Sequence, residues 1–335
     1  MVEIDSQLFT FFLRYTHPIN LFTYQPGFYP RSERVVTATR GFDRGRVEAA
    51  AVDAAFNEDL SALVQIQQKA GLDFFSDGLL GWQDIFRPLV AVTEGLESGG
   101  IVRWFDNNTF YRVPEVHGPI SITKSLDALL PGGSVPAPRV ATLPSPYTFS
   151  RVVSVASDRN ALMLELAREV LAPAARALVG AGCSLVHLQE PQLTARGIEA
   201  QDWAPLERAL ATISEGLGAE VVLHTYFGDA APFINQLRQL PVHALGVDMV
   251  ETDVVALGRN WQIGLVAGCL DGRRSLVEPL EETVELIKFL GETINPPTLY
   301  LSSNCDLEYL SPEVAEQKVL RLGEVAEQIR QVVRV

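Results

Sequence analysis

The chain has 335 residues, of which 47% are hydrophobic and 20% charged, an ordinary globular composition that can bury a sizeable core. Its 41 Asp and Glu residues outnumber 27 Lys and Arg residues, and the resulting charge of −14 argues against nucleic acid as a partner. The longest apolar runs fall far short of the roughly 20 residues that cross a bilayer, and residues 1–10 lack the basic start of a secretory signal. We therefore expect a cytoplasmic protein without a membrane partner.

Eight short runs of β-forming residues occur along the chain, and from Arg139 onward they alternate with long helical patterns such as residues 158–179. This alternation is typical of a parallel sheet covered by helices. Eight strands without an obvious edge strand favour a closed barrel over an open sheet. The sequence thus predicts an α/β fold, a (β/α)8 TIM barrel in one domain over residues 1–335. The predicted strands are 20–24, 72–76, 140–143, 185–188, 221–225, 246–250, 264–269 and 299–302.

Residues 95–138 do not fit a barrel unit. Within them, residues 103–112 read as a β-hairpin that turns near residues 106–108, and a loop rich in Pro and Gly follows at 131–138. We expect this segment to be an insertion beside the barrel mouth.

Polar residues follow several predicted strands, at the end of a barrel where active sites lie. His224 ends the fifth strand, Glu251 follows the sixth and Cys305 follows the eighth. An imidazole, a carboxylate and a thiolate are donors that tetrahedral Zn²⁺ accepts. Each residue also has a structural alternative: a hydrogen-bonded histidine, a helix-capping glutamate and a small buried cysteine.

Several segments resemble the cobalamin-independent methionine synthase family, and the resemblance covers nearly the whole chain at the size of one of the two barrels of the large enzyme. Residues 27–31, Gly-Phe-Tyr-Pro-Arg, are similar to a family segment after the first strand. Residues 188–191, Leu-Gln-Glu-Pro, are similar to its Ile-Asp-Glu-Pro motif, and residues 268–271 to its Gly-Val-x-Asp stretch. The family holds zinc through His-x-Cys, Glu and Cys.

The resemblance implies roles for individual residues. The zinc ligands would be His224, Glu251 and Cys305, and the catalytic residues would be Asp271 and Glu190. Six further residues would bind substrate: Gly27, Tyr29, Asp77, Asp84, Gln189 and Tyr226.

The chain also departs from the family pattern. Tyr226 stands where the metal-bearing barrel has its first cysteine, and residues 224–228 are also similar to the metal-free N-terminal barrel. In the family, an aspartate and a glutamate bind the ammonium group of homocysteine. Here Gln189 stands in place of that aspartate, and residues 79–81 lack that glutamate. Glu190, Asp77 and Asp84 are the nearest substitutes.

The implied activity is a zinc-dependent methyltransferase reaction in which a thiol, homocysteine by resemblance, becomes a thioether, methionine. Because one barrel with a charge of −14 offers few basic groups for a polyglutamate tail, we expect a methylcorrinoid, free or on a partner protein, as donor, with methylfolate as the alternative. A different reading is a metal-free family member that binds a ligand or a partner methyltransferase without catalysis.

Overall fold

A computed structural model describes residues 20–154 and 158–333 of the chain. The predictions made for residues 1–10 lie outside the described residues. One domain over residues 1–335 stays a prediction for the same reason. None of the helices in the described ranges is long and apolar enough to span a bilayer.

Seven parallel strands of the described chain form one curled sheet in the order β1-β9-β8-β7-β6-β5-β4. Consecutive parallel strands lie beside each other from β4 to β9, as β/α units require. The strands are β1 (Asn20–Thr23), β4 (Arg139–Pro144), β5 (Cys183–Glu190), β6 (Glu220–Thr225), β7 (Ala244–Asp248), β8 (Gly264–Leu270) and β9 (Thr298–Ser303).

The predicted strand at 72–76 is reduced to a single bridge, yet it closes the ring. Asp73 and Phe74 donate backbone hydrogen bonds to Thr23 O (3.0 and 3.2 Å), and Phe75 pairs with Arg139. The ladder ends there because the side chain of Gln67 bonds both the N–H and the C=O of Ser76, each at 2.9 Å. The barrel prediction is confirmed, with this correction to its second strand.

Helices cover the outside of the sheet, and the hydrophobic core lies between the two layers. The helix predicted at 158–179 forms as two helices joined by a π-turn at Ala167–Leu171, which precedes Pro173. The helices are α1 (Glu33–Asp43), α2 (Ala49–Lys69), α3 (Arg87–Val92), α4 (Pro146–Val152), α5 (Arg159–Leu166), α6 (Ala172–Gly180), α7 (Pro191–Arg196), α8 (Trp203–Ser214), α9 (Ile234–Leu237), α10 (Leu280–Ile294) and α11 (Pro312–Val333).

The predicted insertion is an antiparallel hairpin of β2 (Thr93–Arg103) and β3 (Phe110–Ile122). Its turn closes where Trp104 N donates to Thr109 O at 2.9 Å, around the residues expected from the sequence. The hairpin is tied to the barrel because Asp84 Oδ2 accepts a bond from Arg112 N at 3.1 Å. The turn therefore lies over the mouth, where the carboxyl ends of the strands meet.

Inside the barrel, a layer of large side chains fills the end away from the mouth. They pack as a separate cluster formed by Tyr24, Val140, Leu185, Val222, Ala244, Val266 and Tyr300. The barrel is thus a packed core rather than a pore, and ligands have access only to its mouth.

Candidate functional site

A cavity at the barrel mouth lies between the strand ends and the hairpin turn. Its volume is about 30 Å³, which admits one or two water molecules. Aromatic rings form one wall, and carboxyl and amide groups form the other. It is lined by Phe28, Gln83, Asp84, Ile85, Trp104, Thr109, Phe110, Tyr111, Gln189, Asp306 and Glu308.

Asp306 is anchored in this mouth cavity by two hydrogen bonds. Its Oδ1 accepts a backbone bond from Phe28 at 2.8 Å and a side-chain bond from Gln189 Nε2 at 2.7 Å. Tyr226 in turn donates its hydroxyl to Gln189 Oε1 at 3.2 Å. These bonds orient the Gln189 amide, so a chain of side chains from β5 and β6 fixes the position of the carboxyl group.

Asp306 and Glu308 line the mouth cavity and both have raised pKa values. Burial raises the pKa of Asp306 to about 6. Burial, followed by repulsion from Asp306, raises the pKa of Glu308 to about 8. Near pH 7 this leaves Asp306 as the better proton acceptor and Glu308 as a proton donor.

His224 lies beneath the mouth, inside the barrel. Its ring centroid is 5.0 Å from that of His187, whose Nδ1 is 3.0 Å from the Tyr24 hydroxyl. Burial lowers the pKa of His224 to about 3, so the ring is neutral. Its Nε2 is buried without a hydrogen-bond partner among the described residues.

The predicted zinc ligands are not brought together. Glu251 is ion-paired with Arg273 at the protein surface, and 39% of its side chain is exposed. Burial and then the carboxylates of Asp306 and Asp248 raise the pKa of the Cys305 thiol. The described residues contain no group of three His, Cys, Asp or Glu side chains placed to hold a metal ion. These three residues therefore do not fit a zinc site.

Glu190 was expected to be catalytic but is bonded on all sides to the protein. It caps α7 by accepting a bond from Leu193 N at 2.8 Å, and it accepts bonds from Thr148 N at 3.1 Å and Thr148 Oγ1 at 2.9 Å. Ser145 Oγ donates to the same carboxylate. The side chain is fully buried, so its place in the structure is that of a junction between α4 and α7.

Asp271, the other expected catalytic residue, lies away from the lining of the mouth cavity. Its Oδ1 accepts a backbone bond from Arg273 at 2.9 Å, and its Oδ2 is 3.3 Å from Arg274 Nε. The carboxylate is 4% exposed. It positions two arginines at the rim.

The six expected substrate-binding residues divide into two groups. Asp84 and Gln189 line the mouth cavity, and Gly27 and Tyr226 support it from behind. Tyr29 instead lies beside Glu313 and Glu316 of α11, and burial with these charges raises its pKa. Asp77 lines a different cavity, of about 200 Å³, between α2 and residues 128–132.

Sequence reasoning did not single out Asp306 or Glu308 as site residues. The signal was present, because both follow Cys305 directly after the last strand. The side chain that lines the cavity is that of Asp306, and Cys305 does not line it.

Comparison with known proteins identifies the family. The sequence profile described as "Cobalamin-independent synthase, N-terminal domain" matches residues 93–295. The chain belongs to the cobalamin-independent methionine synthase family, a family of methyltransferases, and both predictions are confirmed.

Two relatives differ in how much of them the chain covers. The 5-methyltetrahydropteroyltriglutamate–homocysteine methyltransferase of Herpetosiphon aurantiacus is 27% identical over 240 residues, which are 68% of this chain and 31% of that protein. The chain thus spans about a third of that relative. A methionine synthase of Sulfolobus acidocaldarius is 26% identical over 308 residues, 88% of each chain. The first of these names specifies a methyltetrahydropteroyl donor, and neither supports the expected methylcorrinoid.

Solved structures agree on the fold. A B12-independent methionine synthase of a Shewanella species, in complex with selenomethionine, superposes with a TM-score of 0.73 at 21% identity over 95% of this chain and 98% of that one. A putative vitamin-B12 independent methionine synthase of Listeria monocytogenes gives 0.71 at 15% identity over 93% and 99%.

Proposed function

We propose that this chain transfers a methyl group from a 5-methyltetrahydropteroyl donor to the thiol of homocysteine. The family supplies the reaction class, and the names of relatives supply the donor and the acceptor. The observation that carries the proposal is the pair of carboxyl groups in the mouth cavity, Asp306, which is buried, and Glu308, which is half-buried.

The displaced pKa values of this pair assign the roles. Asp306, ionised near pH 7, accepts the thiol proton, and the sulfur forms its bond to the methyl carbon. The bond between that carbon and N5 of the donor breaks, and its electron pair remains on the nitrogen. Glu308, protonated near pH 7, supplies the proton that N5 takes up.

The hairpin turn has to move for this reaction. A cavity of about 30 Å³ does not hold a pteroyl ring, and Trp104 and Tyr111 line it together with Asp306. The rings of Trp104 and Phe86 pack edge to face at 5.7 Å, so aromatic contacts hold the turn against the barrel. Closure of the turn over a bound substrate would exclude water from the reacting atoms.

The direct test is turnover by the purified chain. Homocysteine and methyl-labelled 5-methyltetrahydropteroyltriglutamate should give labelled methionine, and Asp306→Asn should abolish it. Methylcobalamin at the same concentration is the comparison donor. Faster transfer from methylcobalamin would restore the corrinoid as donor, and no transfer from either donor would contradict the proposal.

A second candidate is a barrel that binds these ligands without catalysis. It is favoured by the failure of His224, Glu251 and Cys305 to form a metal-binding group among the described residues. Tyr226, buried and bonded to Gln189, occupies the place of a family cysteine. Calorimetric binding of both ligands together with zero turnover would support this candidate.

A further inference from the structure

A second cavity, here called the side cavity, lies between α2 and residues 128–132 and shares no lining residue with the mouth cavity. Its volume is about 200 Å³. An apolar cavity of about 150 Å³ is large enough to hold a benzene molecule. The side cavity therefore has room for an aromatic ring that carries a short chain.

Most side chains that line the side cavity are apolar. One face of α2 supplies two of them, four residues apart, and the loop that follows residues 72–76 supplies two more. These four, with one from the loop before β4, are Phe56, Leu60, Leu80, Trp82 and Leu130. The cavity can be entered from solvent, because three exposed residues also line it, Asn57, Gly81 and Ala128.

Among the described residues that line the side cavity, Asp77 alone is charged. Its Oδ1 accepts a backbone bond from Leu79 N at 3.0 Å. None of the ion pairs between described residues includes it. Burial raises the pKa of this carboxyl group, as expected where no positive charge offsets the loss of water. Asp77 thus presents a carboxyl group without a counter-ion to a cavity with apolar walls.

Arg31 contacts the same walls but is held by other groups. Its Nε donates to Leu80 O at 2.9 Å, and a second nitrogen of the guanidinium donates to Trp82 O. The guanidinium carbon lies 5.6 Å from the ring centre of Phe56. Arg31 is therefore bound to two carbonyl groups and a ring, and the carboxyl group of Asp77 is left for a ligand.

The lining of the side cavity selects the chemistry of the ligand. An anion would be repelled by Asp77, and a neutral apolar molecule would bury that carboxyl group without a partner. A hard metal ion takes about six oxygen ligands, whereas Asn57 is the only other polar side chain of the described lining. An organic cation meets both features, because its charge pairs with the carboxylate and its apolar part covers the walls.

We propose that the side cavity binds an organic cation in which a short chain joins a primary ammonium to an apolar group, with the ammonium at Asp77 and the apolar group against Phe56 and Trp82. A hydrogen bond from an ammonium to a carboxylate is about twice as strong as one between neutral groups, and an aromatic face nearby stabilises the cation further. The side cavity is separate from the mouth cavity, so this inference does not depend on the proposed function.

Calorimetry with two probes of the same shape separates the effect of charge from that of fit. The probes are 2-phenylethylamine, which carries the ammonium, and 2-phenylethanol, which carries a neutral hydroxyl in its place. The wild type should bind the amine about tenfold more tightly than the alcohol. Asp77→Asn should remove this preference by weakening the amine alone, and it keeps the oxygen that accepts the bond from Leu79 N.

Two further variants are controls. Asp127→Asn removes the same charge from an exposed residue beside Ala128 that does not line the side cavity, so both affinities should stay unchanged. Gly81→Leu should weaken both probes, because a Cβ at Gly81 meets no atom within 4 Å and the longer side chain takes up cavity space. Thermal melts establish which variants are folded, and Asp77→Asn with Asp127→Asn decides the question if Gly81→Leu is not. No saturable binding of the amine by the wild type, equal affinities for the two probes, or equal losses in Asp77→Asn and Asp127→Asn would overturn the inference.

Discussion

At Gly27 the backbone passes so close to Asp306 that a side chain has no room. A Cβ built there lies 1.8 Å from Asp306 Oδ1 and 2.6 Å from Gln189 Nε2, and the backbone φ is +71°. Asp306 cannot move aside without losing its bonds from Phe28 and Gln189. This one residue therefore links the family segment at 27–31 to the carboxyl group of the mouth.

We expect Gly27→Ala to lower the free energy of unfolding by about 3 kcal/mol, combining the left-handed backbone with the steric clash. Gly218 is the matched control, because its φ is +73° and no atom lies within 4 Å of its Cβ position. Gly218→Ala should cost only about 1 kcal/mol. Equal losses in urea unfolding of the two variants would show that the contact with Asp306 is unimportant.

The paired carboxyl groups predict a bell-shaped dependence of kcat on pH. Asp306 must be ionised to accept a proton, so kcat falls below about pH 6, and Glu308 must be protonated to donate one, so kcat falls above about pH 8. The apparent pKa values of the acid and alkaline limbs of this pH profile belong to the interacting pair of carboxyl groups rather than to either residue alone. Glu308→Gln should remove the alkaline limb and lower kcat by about 10²-fold or more. A flat profile between pH 5 and pH 9 in the wild type would contradict the assignment.

The sequence predicts which end of the barrel carries polar residues, but not which side chains meet there. His224 lies near the end of β6, and Glu251 and Cys305 follow β7 and β9, as expected. However, Asp248 Oδ1 accepts bonds from Val250 N and Glu251 N, at 3.0 and 3.2 Å, and turns Glu251 to the surface. Such a local turn depends on one side-chain bond, which strand patterns do not reveal.

At the level of elements, Glu190 joins two helices that are distant in sequence. It accepts bonds from the first turn of α4 and from the first turn of α7. Both helices follow neighbouring strands, so the junction fixes the spacing of two mouth loops. The carboxylate of Glu190, in the segment 188–191 that resembles the family motif, thus has a structural role here.

We expect Glu190→Ala to destabilise the protein by about 3 kcal/mol, because several buried donors lose their acceptor together. Asp158 provides the control, since it caps α5 at the surface with bonds to Asn160 N and Ala161 N. Asp158→Ala should cost about 1 kcal/mol. Loss of turnover by Glu190→Ala at full thermal stability would restore its catalytic role.

The hairpin turn and the second strand show which element boundaries sequence patterns predict and which they do not. The hairpin turn was predicted from its polar residues, because a turn is decided locally. The second strand was predicted at 72–76 but forms only a single bridge, because the side chain of Gln67 on α2 takes up the backbone groups of Ser76. That competition comes from a residue nine positions away, on a different element.

For the molecule as a whole, parallel strands bring polar residues from distant parts of the sequence to one end, while Tyr24, His187 and Tyr300 fill the interior. The barrel floor is closed, so its chemistry is confined to the mouth and the rim. His224 belongs to this interior, where burial lowers the pKa of its ring. A neutral imidazole is able to bind a metal, and the remaining ligands decide whether one is held.

We expect zinc to leave the stability of the wild type unchanged, because Glu251 is ion-paired with Arg273 and the described residues contain no group of three side chains placed to hold a metal ion. If a preformed zinc site were present, a free zinc concentration of about 1,000 times its Kd would add about 4 kcal/mol to the free energy of unfolding. Thermal melts with excess zinc and with chelator should therefore coincide, and His224→Ala should show the same indifference to zinc. About one zinc per chain, with a stabilisation that His224→Ala removes, would contradict this expectation and return His224 to a metal-binding role.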